Sequence, residues 1–293
     1  MDLSILKVNN YIYFHNGIIE DKSVSVKDLN LNSNISLTII HDIDKSCNIK
    51  LTINEGINAN ILEVFYVKKS SEEIKVNKDI ICKKNSNLKI TTIEHSNFDF
   101  ASLIKVNTTL EEGARIENKK LALYLNEVRE SENVCLIGKG ATYDNFNVLI
   151  NASGVTQNSD LVVSHENEDT VSIMRNYGIA KGDVTLNINT NGIVKRGAKR
   201  SNVSQKSKGI LLDIGSKISA NPWLQIDEFD CLASHGAGIG AISEEELYYL
   251  MSRGLTRQES ERIIIDGFVS PIYKEIEDED IKEEIVKTVK KYL

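Results

Sequence analysis

The chain of 293 residues has only 2 prolines, Pro222 and Pro271, and no stretch rich in Pro, Gly and Ser. Flexible linkers have that composition, so one long unit with an appendage is expected rather than beads on a string. No run approaches the roughly 20 apolar residues of a membrane helix, which argues against a membrane partner. The start, Met1-Asp2-Leu3-Ser4, offers neither a basic leader nor an apolar stretch, so no secretory signal is expected. The 4 cysteines (Cys47, Cys82, Cys135 and Cys231) form no CxxC pair. Scattered cysteines suit a reducing cytoplasm better than a disulfide framework. Positive charge is in deficit: 35 Lys and Arg stand against 42 Asp and Glu, a net charge of -7. That argues against a nucleic-acid partner, because phosphate binding needs a cationic surface. A Gly-x-x-x-x-Gly-Lys-Ser/Thr loop is also missing, so ATP phosphates are not expected to bind in that way.

What is present, from about Val24 to Ile226, is a series of short alternating segments. Ile49–Asn54, Leu121–Asn126 and Val184–Asn189 each alternate apolar with other residues, which predicts strands with one buried and one wet face. Asn and Gly punctuate them, as in Asn54-Glu55-Gly56, Glu112-Gly113, Gly138-Lys139-Gly140 and Asn191-Gly192. Such residues supply the positive φ of tight turns. A sandwich, a barrel and a solenoid of stacked strands all remain compatible. No strict short repeat is visible, which disfavours a hexapeptide-type β-helix and leaves an irregular one open.

The period changes after Ala241. Ser243 to Glu246 and Thr256 to Glu259 each read as a capping box opening a short helix. Gly254 and Gly267 are the expected closures, with a third helix from roughly Pro271 to Leu293. The resulting division is an N-terminal segment over 1–23, a β core over 24–240 and a helical part over 241–293. The helical part carries 13 acidic and 8 basic side chains, hence most of the net negative charge. That face is either simply solvated or a docking surface for a basic partner.

Chemistry-bearing residues are sparse. Cys231 and His235 are the one Cys/His pair close in sequence, with Glu228 and Asp230 beside them. Thiolate and imidazole suit a transition metal, and carboxylates add oxygen ligands. Along a straight strand the pair would sit roughly 13 Å apart. One metal ion could then hold both only through a bend or through a second copy of the chain. Cys47, Cys82 and Cys135 lie among apolar residues and read as core filling. His15, His41 and His95 have polar neighbours and read as surface residues. His165 is followed by Glu166 and Glu168, and a nearby carboxylate would raise its pKa.

Residues 205–270 carry a resemblance. Gln205 precedes Gly209-Ile210-Leu211-Leu212; then come Pro222-Trp223-Leu224-Gln225-Ile226 and Ala233-Ser234-His235-Gly236-Ala237. Leu247-Tyr248-Tyr249-Leu250-Met251-Ser252-Arg253-Gly254-Leu255 and Gly267-Phe268-Val269 follow. This order resembles the SufB/SufD family of iron–sulfur cluster assembly scaffold proteins, with weaker matches at His165, Thr170, Ser172 and Gly178. The resemblance implies a mainly β protein, a right-handed parallel β-helix with a C-terminal helical part. It also implies dimerisation with itself or a second SufB/SufD-type chain, and docking of the ABC-type ATPase SufC on the helices. Tyr248, Tyr249, Met251 and Arg253 are the candidate contacts there. The implied role is a non-catalytic cytoplasmic scaffold that holds an iron–sulfur cluster transiently, fed by a sulfur donor and emptied by recipient apo-proteins. One departure stands out: SufB-type members carry a cysteine after the Gln that precedes the apolar strand, and here Lys206 follows Gln205. A SufD-like partner that binds no cluster is therefore the main alternative. A carbohydrate-active β-helix enzyme is the remote one, since no array of carboxylates along one strand face is visible.

Overall fold

The structure, a computed structural model, describes residues 10–24, 29–67, 72–96, 102–125, 127–152 and 154–293, without the side chains of Val67 and Ser96. The first described strands are β1 (Tyr11–His15), β2 (Ile18–Lys22), β3 (Asn30–Leu31), β4 (Ile35–Ile43), β5 (Cys47–Ile53) and β6 (Asn58–Val67). They are followed by β7 (Ile74–Cys82), β8 (Asn87–Ser96), β9 (Ser102–Leu110), β10 (Arg115–Tyr124), β11 (Val128–Leu136) and β12 (Thr142–Asn151). The last six are β13 (Thr156–His165), β14 (Val171–Ala180), β15 (Thr185–Val194), β16 (Ser201–Leu211), β17 (Lys217–Ile226) and β18 (Cys231–Ala241). Three helices close the chain: α1 (Glu244–Ser252), α2 (Arg257–Tyr273) and α3 (Glu279–Tyr292).

From β3 onward, consecutive strands alternate between two sheets. One has ten strands in the order β18-β16-β14-β12-β10-β8-β6-β4-β1-β2, the other eight in the order β17-β15-β13-β11-β9-β7-β5-β3. All pairings are parallel except β1 with β2. The chain is thus a parallel β-solenoid of about seven turns. Residue offsets between stacked strands vary, from Asn30 opposite Thr52 to Thr185 opposite Lys217. That unevenness is why no repeat shows in the sequence.

Strand alternation fills the space between the sheets, as in β5 and β15, whose inward residues are buried and outward ones wet. Over 121–124 neither face is wet: Ala122 and Tyr124 point into the solenoid, and Leu121 and Leu123 point outward yet are buried, because α2 and α3 lie along the outer face of the ten-stranded sheet; Asn126 lies outside the described residues. Ile265, Val269, Ile272, Ile281, Ile285 and Val289 form the helical half of that second core. Lys119 pairs with Glu275, and Lys181 Nζ donates to the Leu293 carbonyl at 2.6 Å, fastening the helices at both ends.

The helix boundaries correct the sequence reading in three places. Thr256 and Glu259 form the full capping box, but at Ser243 only the hydroxyl-to-Glu246 half forms. Gly254, at φ 95°, does follow the end of α1. Gly267 does not end α2, which spans 17 residues in all and runs through Pro271 to Tyr273, since its buried stripe runs on to Ile272. The third helix accordingly starts at Glu279, where Asp278 accepts from the Ile281 amide.

Candidate functional site

The strands at one end of the solenoid are left unpaired on one side. β18 is the edge of the ten-stranded sheet and β17 the edge of the eight-stranded one. Nothing among the described residues covers them, and all of β18 except Cys231 is exposed. Trp223 is 69% exposed, Leu232 69%, and Phe229 stands fully in solvent. Such an apolar patch beside unpaired parallel edges is an association surface in waiting.

Both candidate ligands lie on this edge. β18 runs straight beside β16, with Ser201 opposite Cys231 and Gln205 opposite His235. Cys231 and His235 therefore share the inward face two pleats apart, and no bend brings them together within one chain. His235 Nδ1 donates to the Pro222 carbonyl at 3.2 Å. Cys231 Sγ donates to the Glu228 carbonyl at 3.2 Å. Burial first, then the charges of Glu228 and Asp230, raises the Cys231 thiol pKa. The Glu228 carboxylate is committed to a turn, accepting from the amides of Gly197, Phe229 and Asp230. Those bonds lower its pKa. Asp230 contributes its carbonyl to the Arg200 amide. No group of three or more Cys, His, Asp and Glu side chains with metal-binding geometry exists among the described residues.

Other histidines correct the sequence reading. His41 is wholly buried, stacked between Phe14 and Phe65, and its Nε2 donates to Glu63 at 3.0 Å. Inward parity on β4, not its polar neighbours, decides its place. His95 is half-buried against Tyr66, and burial lowers its pKa to about 4. His165 is also buried, 2.8 Å from the hydroxyls of both Thr170 and Ser172. Burial takes its pKa down to about 4, against the rise expected from Glu166 and Glu168, which point away from it. Three of the four upstream family matches, His165, Thr170 and Ser172, are thus one interior hydrogen-bonded corner. Gly178 is likewise structural, since a Cβ there would come within 2.9 Å of Leu186 and Ile188. Cys47 and Cys82 are buried as expected, whereas Cys135 sits half-exposed on the outer face of β11.

Sequence reasoning missed a charged cluster inside the solenoid. Glu63 pairs with Lys78, and Lys120 with Glu130; all four are buried. Tyr124 donates to Glu94, and Tyr143 donates to Glu132 at 2.6 Å. Burial alone would raise the Glu63 pKa, but Lys78 and His41 hold it at about 2. Burial and the charge of Glu130 push Glu94 up to about 7. The available signal was parity: Lys78 follows Ile74 and Val76 on the inward positions of β7, where another apolar residue was due.

At the helical end, Tyr248, Tyr249 and Met251 of α1 are exposed, and the Arg253 guanidinium lies 5.3 Å from the Tyr249 ring centre. A groove of about 670 Å³ runs between α1, α2 and the end of β18, lined by Lys208, Glu245, Tyr249 and Phe268 among others. No helix among the described residues is long and apolar enough to cross a membrane.

Fold and site define a parallel β-solenoid protein with one hairpin-closed end, one open end and a helical tail along its larger sheet. Residues 45–268 match the family described as SUF system FeS cluster assembly, SufBD core domain, and the chain belongs to that family. It is 32% identical over 162 residues to the iron–sulfur cluster assembly protein SufD of Bacillus subtilis, covering 55% of this chain and 37% of that one. It is 28% identical over 198 residues to a SufBD family protein of Mycobacterium leprae, covering 68% of this chain and 23% of that protein. A SufBD family protein of Staphylococcus epidermidis is 28% identical over 204 residues, covering 68% of this chain and 43% of its own length. The chain thus matches well under half the length of these curated relatives.

Proposed function

We propose that this protein is a non-catalytic subunit for iron–sulfur cluster assembly, acting in the cytoplasm with a SufC-type ATPase, and that it works as a pair with itself or a second SufB/SufD-type chain. The observation that carries the reading is the open end. Unpaired β17 and β18 present exposed apolar side chains, and the Cys231 and His235 edge is incomplete within one chain. In a pair joined there, ligands from two copies supply what one copy cannot. The cluster is cargo held between subunits, with Cys231 and His235 as its ligands on this side. Asp230 is a further candidate ligand. Glu228 shapes the loop, because its carboxylate is engaged by three amides. Division into an N-terminal segment (1–23), a β core (24–240) and an ATPase-docking helical part (241–293) accompanies this reading.

The SufD-like reading, a partner that binds no cluster, is favoured by Lys206 in place of a cysteine and by the similarity to a SufD. Anaerobic co-expression with the ATPase, followed by iron and sulfide analysis of the parent, Cys231→Ser and His235→Ala, separates the two. Loss of iron in the variants supports the scaffold reading. Equal iron and sulfide with unchanged visible absorption in all three sinks the ligand assignment. A parent without iron supports the structural partner.

A further inference from the structure

One inward column of the ten-stranded sheet, followed from strand to strand, reads Glu63, Thr92, Lys120, Asn147, Asn176 and Ser207. Each is more than nine-tenths buried. Stacked strands lie about 4.8 Å apart, so this polar line crosses roughly 24 Å of core. Its lower rungs are closed by the ion pairs and tyrosine bonds described above, and Asn176 Nδ2 donates to Thr190 at 3.0 Å.

Five acceptor atoms along and beside the column have no protein partner among the described residues. They are Thr108 Oγ1, Glu130 Oε2, Asn147 Oδ1, Ser207 Oγ and Gln205 Oε1, on side chains exposed by 3% or less. A buried acceptor left bare forfeits its hydration without replacement, so five in one interior call for donors. Thr108 and Glu130 both line an interior cavity of about 30 Å³. That is room for about two water molecules. Lys78 and Lys120 line the same cavity and oppose a metal cation, while Glu94, Glu130 and Glu132 oppose an anion. A small neutral donor fits both constraints.

We propose that ordered water molecules occupy this interior, from the cavity at Thr108 and Glu130 past Asn147 and Ser207 to Gln205 beneath His235, and that they keep the buried carboxyls in proton exchange with solvent at the open end. A protonated carboxyl gives its proton to the adjacent water. Each water passes one proton on and receives one from behind, and the last releases it to solvent, so nothing else is consumed. The low-lying Glu63 and raised Glu94 supply one carboxylate and one group that gains and loses its proton near neutrality. The inference stands apart from the iron–sulfur reading.

A high-resolution crystal structure of the full chain at neutral pH is the first test. Water density within hydrogen-bonding distance of Glu130 Oε2, Thr108 Oγ1 and Asn147 Oδ1 is expected; a dry cavity or a bound ion there overturns the proposal. Infrared spectroscopy on transfer to heavy water is the second, with the protonated carboxyl band assigned by its loss in Glu94→Gln. The band should shift promptly in the parent. In Asn147→Leu the shift should slow by roughly tenfold or more, since exchange must then wait for local opening. Equal rates, or no protonated carboxyl band in the parent, overturn the proton path. Ser207→Val, higher on the same column, replaces Asn147→Leu if that variant does not fold.

Discussion

Gln205 and His235, opposite each other on β16 and β18, clasp adjacent carbonyls of the same facing strand. Gln205 Nε2 donates to the Trp223 carbonyl at 2.9 Å, and His235 Nδ1 donates to the Pro222 carbonyl at 3.2 Å. They tie the two sheets together at the open end, yet they differ in burial: Gln205 is 3% exposed, whereas His235 is open to solvent.

That difference sets the first prediction. Gln205→Ala should destabilise by about 1–3 kcal/mol, because the Trp223 carbonyl loses its side-chain donor and the buried link between the two sheets goes with it. His235→Ala should stay within about 0.5 kcal/mol of the parent, as exposed substitutions do. Urea unfolding of both checks this. Under the proposed function, His235→Ala alone then loses iron from a fold of unchanged stability.

Acid response should expose two opposing groups. His165 has a folded pKa lowered to about 4, so the unfolded chain binds more protons, and stability falls as pH drops from about 6.5 to 4. Its share is about 3 kcal/mol. Glu94 is raised to about 7, so the folded chain binds the extra proton, and stability falls as pH rises from about 4.5 to 7. His95, also lowered to about 4, adds to the His165 side, so the parent should lose stability as pH falls through this window. Relative to the parent, His165→Gln should lose less on acidification, and Glu94→Gln more. Parallel profiles for the two variants would contradict the assignment.

Gly138 is the position where a methyl group should do most harm. A Cβ there would sit 1.9 Å from the Glu112 nitrogen and 2.1 Å from the Glu111 carbonyl carbon, both backbone. Gly138→Ala should cost about 3 kcal/mol or more, since backbone rather than a flexible side chain must move. Gly236→Ala, with nothing within 4 Å of the added atom, should leave the thermal midpoint of the isolated chain unchanged.

Tyr248→Ala with Tyr249→Ala tests the proposed ATPase-docking surface. Both rings are exposed, so folding should be retained while affinity for the SufC-type ATPase falls roughly tenfold or more, as for interface aromatics. Co-purification at parental yield would exclude α1 as the contact.

The strands and the change to helix after Ala241 were legible because strand parity and capping chemistry are local. Leu121 and Leu123 show where locality ended: their alternation predicted one buried and one wet face, but Ala122 and Tyr124 on the other face point into the solenoid, and α2 and α3, returning from more than a hundred residues downstream, bury the leucines. His41 shows the same limit. Asp42 beside it in sequence is charged, but its neighbours in space are Phe14 and Phe65 from adjacent strands. The Cys231–His235 geometry followed from strand spacing alone. The interior ion pairs did not, because Lys78 and Glu63 lie in different sheets and no spacing within one strand relates them.

The two ends of the solenoid have unequal capacity for growth. At one end β2 runs antiparallel to β1, and its outward edge carries Glu20, Asp21 and Lys22. Charges and reversed direction make that edge a poor template for another parallel strand. At the other end β17 and β18 stand open. A body with one receptive end and one blunted end can close a pair but has no surface with which to continue. Association through the open end would therefore stop at two, and a stack of parallel strands that could otherwise elongate like a fibril would stay a finite particle.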